Sequence, residues 1–292
     1  MNQSVLPRLG VLALIWGSSF LWIKLADQGF SPVEVTFARL ALGAAVLFPV
    51  VLARREAVPR SAALWARIAV AAMFGNALPY LLFAMAEQSV GSSTAGIINA
   101  TTPLWTVVLA VAVRHQRSVT GWQGAGLIVG FGGASLIFSP WHSAASVASA
   151  GGLECLAASI SYAVSYIYMD KFLARRGLSP ITLSACQLLA AAVLLALVFP
   201  VAGAPVPHIT TASLAGVVIL GVLGTGVAYV LNYQIIMSEG ATVAATVTYL
   251  LPVVAIMLGV LALGETVTAA TIAGIALVLA GVALTRRPNG RS

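Results

Sequence analysis

Apolar runs of about twenty residues follow one another along almost the whole chain, separated by short polar breaks. Ten can be marked, at 5–26, 31–52, 66–86, 91–113, 120–139, 150–170, 179–200, 211–237, 240–263 and 268–285. A helix crosses the ~30 Å hydrocarbon core of a bilayer in about 20 residues. The runs are continuously apolar, about twice the length of a barrel strand, and carry no alternation of period two. The pattern predicts an all-α integral membrane protein with ten transmembrane helices. Most breaks are tight turns such as Ser238-Glu239-Gly240. The longest, Ser139 to Gly151 and Pro200 to Ala212, are too short to fold alone, so no soluble domain is expected.

The chain also contains itself twice. Ser31-Pro32-Val33-Glu34 and Phe37-Ala38-Arg39-Leu40 recur as Ser179-Pro180-Ile181-Thr182 and Ala185-Cys186-Gln187-Leu188, 148 residues later. Gly75, Tyr80, Gly91 and Pro103 return as Gly224, Tyr229, Gly240 and Pro252, 149 residues later. The halves, 1–142 and 143–292, hold five spans each. An odd number per copy turns the second copy over in the bilayer, leaving a cavity between halves that can open to either side by similar motions. This favours a transporter over a receptor.

Composition fits: 60% of residues are apolar, 8% are charged, and the mean hydropathy is +1.00. The formal net charge of +7 would suggest nucleic acid until the charges are placed. Arg8, Arg54, Arg55, Arg60, Arg67, Arg114, Arg117, Lys171, Arg175, Arg176, Arg286, Arg287 and Arg291 all fall on one side of a ten-span model, with only Lys24 and Arg39 on the other. The positive-inside rule puts both termini in the cytoplasm, and the lipid bilayer, not nucleic acid, becomes the expected partner. Cys155 and Cys186 lie within spans and read as small packing residues.

Function must then reside among the helices. Trp16, Asn76, Tyr80, Asn99, Trp105, Tyr162, Tyr166, Tyr229, Asn232, Tyr233 and Tyr249 fall inside spans. Their polar atoms need protein partners or a wet cavity. They read either as the wall of a substrate cavity or as interhelical hydrogen bonds. Of these, Trp16, Asn76, Tyr80, Trp105, Tyr162, Tyr229, Tyr233 and Tyr249 are the candidate substrate-binding residues, suited to an aromatic or amphipathic small molecule. Arg39 lies about eight residues, roughly 12 Å, into the second span. It needs carboxylate or carbonyl partners or water, with Glu34 and Glu154 as candidate partners and Lys24 as a further charge. A structural tie and a part in gating or carboxylate recognition both remain open for it. Pro103 and Pro252, near the middle of the fourth and ninth spans, are candidate hinges.

Several absences discriminate. No acidic residue stands near the middle of a predicted span, which disfavours tight proton coupling. No phosphate-binding Gly-rich loop, His-Glu-x-x-His motif or pair of intramembrane aspartates occurs, so no catalytic residue, metal or cofactor is expected.

Trp16-Gly17-Ser18-Ser19-Phe20 followed by Lys24, then Ser31-Pro32 and Phe37-Ala38-Arg39, resembles the opening of an EamA-type member of the drug/metabolite transporter superfamily. Pro252, Leu263-Gly264-Glu265 and Gly274 resemble the closing pattern of the same module. One departure stands out: Arg114-His115-Gln116 occupies the place of Leu263-Gly264-Glu265 in the first copy. The resemblance implies ten helices in two inverted repeats and export of small metabolites, often amino acids, with the aromatic amino-acid exporters as the nearest branch. The expectation is an inner-membrane exporter of amino acids, aromatic or otherwise apolar, working by alternating access through a central cavity without tight proton coupling. A monomer suffices for such a pathway. A proton-coupled drug or metabolite exporter and a polytopic enzyme acting on lipid-linked substrates are the alternatives. Nucleotide-sugar exchange would call for more cavity cations than Lys24 and Arg39.

Overall fold

In a computed structural model, the described residues are 5–86, 89–90, 92–115, 119–138, 149–202, 208–263 and 268–285. The Lys24 side chain, the turn at Glu87 and Gly91, the connection 139–148 and Gly264-Glu265 lie outside them. Among the described residues there is no strand. Ten helical spans follow in order: α1 (Val5–Ala26), α2 (Pro32–Ala53), α3 (Ala62–Ala86), α4 (Ser92–Asn99 and Thr102–Ala112), α5 (Gly121–Phe138), α6 (Ala150–Tyr168 continuing through Met169–Leu173), α7 (Pro180–Ala202), α8 (Thr211–Glu239), α9 (Ala241–Ala245 and Val247–Leu263) and α10 (Ala269–Thr285). Seven of the helices are by themselves long and apolar enough to cross a bilayer, and Ala269–Thr285 is a shorter apolar one. Leu52, Ile128 and Leu197 are each about two-thirds exposed or more, as side chains facing lipid would be.

Local chemistry sets the helix starts. The Ser31 hydroxyl accepts from Glu34 N at 3.4 Å, and the Glu34 carboxylate accepts from Ser31 N at 2.7 Å, a capping box with Pro32 in the first turn. Glu34 is thus occupied in starting α2, not in neutralising Arg39. Ser61, Ser149 and Thr210 cap α3, α6 and α8 through their hydroxyls. Gly240, at φ +86°, takes the left-handed conformation that ends α8 and lets α9 start at once.

The helix neighbours are exchanged between halves as a twofold axis requires. Helix α3 packs on α6 as α8 packs on α1, α4 on α6 as α9 on α1, and α2 on α8 as α7 on α3. The pairs α2–α7 and α5–α10 lie on the axis itself. The α5–α10 pair shows the inversion most directly. A Cβ added at Gly126 would sit 2.6 Å from Gly281 O, and one at Gly133 would sit 2.6 Å from Gly274 O. These helices therefore run antiparallel with their backbones in contact, and each glycine meets the repeat counterpart of the other. Lipid tails are as apolar as the helices, so packing this close supplies the attraction that hydrophobicity does not.

The repeat also reaches irregular structure. Helix α3 contains a π-turn at Met73–Ala77 and α8 one at Val222–Val227, centred on the equivalent Gly75 and Gly224. Pro103 stands near the middle of its span, as expected, but beside a break and not inside a continuous helix. Helix α4 breaks at Ala100-Thr101, and Pro103 occupies the first turn of the second segment, where its missing N–H costs nothing. Pro252 does lie inside a helical segment, six residues beyond a break at Thr246.

Gly281→Ala is expected to destabilise the protein by about 1–3 kcal/mol, because overpacking at a rigid contact costs that much. The added Cβ would lie 2.4 Å from Gly130 N. Gly132→Ala, where nothing lies within 4 Å, is the control and should leave the unfolding midpoint in detergent unchanged.

Candidate functional site

A cavity of about 300 Å³ lies between the halves, walled by α1, α2, α3, α4, α6, α8 and α9. It reaches from Asp27 and Pro32, where α1 meets α2, down to Met169 and Asn232. Partial desolvation at the rim raises the carboxyl of Asp27 above its ordinary value. Its walls are aromatic: Trp16, Tyr80, Phe83, Tyr162, Tyr166 and Tyr229. Trp16 meets Tyr229 edge to face at 6.3 Å, Tyr80 meets Tyr162 in the same way at 6.3 Å, and Phe83 stacks on Tyr162 at 6.0 Å.

The backbone explains why these rings stand where they do. A π-turn leaves carbonyls short of their usual helical partners, and no water inside a bilayer replaces them. Tyr229 OH donates to Gly75 O at 2.6 Å, and Trp16 Nε1 donates to Gly224 O at 3.0 Å. Ser161 Oγ donates to Phe74 O at 2.8 Å. The glycines admit these neighbours, since a Cβ at Gly75 would fall 2.3 Å from Ser165 Oγ.

Of the candidate substrate-binding residues, Trp16, Tyr80, Tyr162 and Tyr229 line the cavity. Asn76 and Tyr233 are wholly buried behind it, in one chain of hydrogen bonds. The Tyr233 hydroxyl donates to Gln187 Oε1, and Gln187 Nε2 donates to Asn76 Oδ1 at 2.8 Å. Trp105 and Tyr249 do not reach the cavity. Trp105 Nε1 is satisfied within its own helix by Thr101 Oγ1 at 3.1 Å. Tyr249 lies flat against Gly130 and donates to Leu127 O at 3.2 Å, joining α9 to α5.

Arg39 does line the cavity, 9% exposed. Its Nε donates to Thr225 Oγ1 at 3.0 Å, and its guanidinium stands 4.3 Å from the centre of the Tyr80 ring. Neither Glu34 nor Glu154 pairs with it, and among the described residues no carboxylate does.

At the end of the molecule where α1 begins and α10 ends, polar contacts tie the helices together. His115 Nε2 lies 3.0 Å from Asp170 Oδ2, which also accepts from Ala241 N at 3.2 Å, joining α4, α6 and α9. Nearby, the Glu56 carboxylate accepts from the Ser179 hydroxyl and from Thr182 Oγ1, at 2.7 Å for the latter, joining α2 to α7. Sequence reasoning passed over Asp170 because it stands at the edge of its span, and Ser19, Thr36, Ser165 and Thr248 because hydroxyls in apolar helices usually bond their own backbone. Tyr166 carried a readable signal, one turn after Tyr162 on α6.

The model of the EamA-like transporter family matches the chain twice, over 9–139 and 149–287, once in each half. The chain belongs to this family. It is therefore a membrane transporter and not an enzyme. An uncharacterized transporter of Archaeoglobus fulgidus is 25% identical over 284 residues, covering 94% of this chain and 95% of the relative. The uncharacterized inner membrane transporter YedA of Escherichia coli is 26% identical over 282 residues, covering 91% and 86%. A solved crystal structure superposes with a TM-score of 0.78 at 21% identity over 98% of this chain and 97% of the other, a likeness of fold. Within this EamA-like chain, the departure at Arg114-His115-Gln116 now has a role in the fold. His115, where the second copy carries Gly264, supplies the partner of Asp170 at the tied end.

Hydrogen bonds from Ser179 and Thr182 hold the Glu56 carboxyl below its ordinary value of 4.5. A lowered value means the tie stabilises the folded protein above about pH 4.5 and is lost as pH falls through the folded value. Glu56→Ala should therefore lower the melting temperature at neutral pH, with the difference from the native protein shrinking as the buffer is taken below about pH 4. A difference that stays constant across that range would assign the effect to packing.

Proposed function

We propose that this transporter exports amino acids with aromatic or other apolar side chains across the inner membrane, by alternating access and without tight proton coupling. The observation that carries the reading is the aromatic-walled cavity, floored by hydrogen bonds at one end and reaching the surface at the other. Ring faces suit an apolar side chain, while Arg39, Asn99 and Asn232 offer a few directional polar contacts to a zwitterion. Trp16, Tyr80, Tyr162 and Tyr229 form the binding wall, and Asn76 and Tyr233 support it from behind. Trp105 and Tyr249 are reassigned to packing.

The basic residues Arg54, Arg55, Arg60, Arg114, Lys171, Arg175 and Arg176 cluster at the tied end. By the positive-inside rule that end and both termini are cytoplasmic, and the cavity faces outward. The two halves, 1–142 and 143–292, would then rock about the α5–α10 contact, with the breaks beside Pro103 and Pro252 absorbing the bend. Proton-coupled exchange has two observations in its favour: the carboxyl of Asp27 at the cavity rim, raised by partial desolvation, and the His115–Asp170 pair, which lies at the cytoplasmic tie and outside the cavity.

Purified protein in liposomes should accumulate labelled phenylalanine by exchange with internal phenylalanine when no pH gradient is imposed. Uptake that appears only with a pH gradient and vanishes with an uncoupler would establish proton coupling instead, and failure to move any amino acid would overturn the substrate reading.

Alternating access also requires the cytoplasmic floor to open. Tyr229→Phe removes the donor to Gly75 O, a loss of about 1 kcal/mol, or about fivefold in the ratio of states. A cysteine at Ile23 on the outward wall should then label more slowly from outside in the Tyr229→Phe background. Unchanged labelling with unchanged transport would remove this bond from the gate.

A further inference from the structure

Two buried contacts are repeat counterparts, and one of them is incomplete. Gln187 of α7 bonds Asn76 of α3 and is completed by the hydroxyl of Tyr233. Arg39 holds the same place in α2, 148 residues earlier, and bonds Thr225, which stands 149 residues after Asn76. The third member has no counterpart. The residue 149 before Tyr233 is Ala84, a methyl group on the cavity wall. One half thus seats a neutral amide capped by a phenol oxygen. The other seats a permanent cation beside an open space.

Arg39 and Ala84 both line the cavity, and no hydrogen bond within the described residues uses the terminal nitrogens of Arg39. One face of its guanidinium is covered by Tyr80 and its Nε is used by Thr225. The terminal nitrogens keep the fork of donors that fits a carboxylate, and a guanidinium stays charged at any accessible pH. A second group on the wall also waits for a partner. Asn232 is 3% exposed, and its Oδ1 has none among the described residues. Asn232 follows Thr225 by seven residues, about 10 Å further along α8. An α-ammonium, one carbon from a carboxylate held at Arg39, falls short of it.

Building on the transport reading above, we propose that Arg39 and the space beside Ala84 form an anion subsite for the substrate carboxylate. The substrate oxygens take the place that the Tyr233 hydroxyl fills in the other repeat. Asn232 Oδ1 accepts a hydrogen bond from the far end of the same molecule. The ligand class is an aromatic acid with a distal donor, such as a phenol hydroxyl or an indole N–H, oriented carboxylate toward α2 and ring toward the floor.

The test compares binding of tyrosine, its neutral carboxamide, phenylalanine and hydroxyphenylpropionate to the purified full-length protein, by displacement and by thermal shift. Native protein should prefer tyrosine to its amide by about 10- to 100-fold, the worth of a charge-assisted pair in a buried site. Arg39→Gln should erase that ratio and Arg39→Lys should retain part of it. Ala84→Tyr, which supplies the missing phenol, should erase it while keeping or raising the melting temperature. Asn232→Leu should bring tyrosine down to the level of phenylalanine and leave the acid-to-amide ratio untouched.

Native protein that treats acid and amide alike, or an Ala84→Tyr protein that keeps the native ratio, overturns the subsite, even where Arg39→Gln fails to fold. Hydroxyphenylpropionate, which lacks the amine, separates the two readings. Arg39-dependent binding of it without any amino-acid transport sustains the subsite and overturns only the amino-acid reading. Amino-acid transport with no discrimination between acid and amide does the reverse.

Discussion

Inside a bilayer no water comes to a backbone carbonyl that its own helix leaves unpaired. The two π-turns create such carbonyls at the middle of α3 and α8, and most of the site follows from satisfying them. Tyr229 and Trp16 each donate across a helix interface to the carbonyl of an equivalent glycine. Those bonds fix where the two rings stand, and the rings in turn form the walls on which Tyr80 and Tyr162 pack. The hydrophobic pocket is held in shape by polar bonds at its edges, which is why a cavity can persist among helices that have no hydrophobic reason to stay apart.

A second constraint keeps part of the molecule still. Helices α5 and α10 meet backbone to backbone at Gly126, Gly133, Gly274 and Gly281, and neither contributes to the cavity. Helices so close cannot slide without collision, whereas α3, α4, α6, α8 and α9 carry π-turns or breaks that allow local bending. Rigidity and compliance are therefore assigned to different helices, with the compliant ones around the site.

The helix count, the duplication and its inversion were legible in the sequence, because they depend on hydropathy and spacing alone. Trp16, Tyr80, Tyr162 and Tyr229 were legible as wall residues because rings with a polar atom are conspicuous in an apolar helix. Trp105 and Tyr249 looked the same and sit elsewhere. In helices apolar on every side, periodicity does not tell a cavity face from a packing face, so only the fold separates them. Thr225 was hidden among small residues, and Glu34 looked like a charge partner until its cap was seen. The meaning of Ala84 was least accessible, since it lies in a side chain that is missing relative to Tyr233.

That difference between the halves has a kinetic consequence. A carrier with identical inverted halves would present the same site, with the same affinity, to both sides of the membrane. Here one half completes its buried contact with its own tyrosine and the other leaves a cation open. The two orientations of an alternating carrier built this way differ in free energy and in how they bind. Such a protein loads and releases at unequal rates on its two faces while the concentration gradient alone fixes the direction of net flow. A difference in half-saturation and in maximal rate between the two faces can thus be built from a single unpaired position, while their ratio stays the same in both directions.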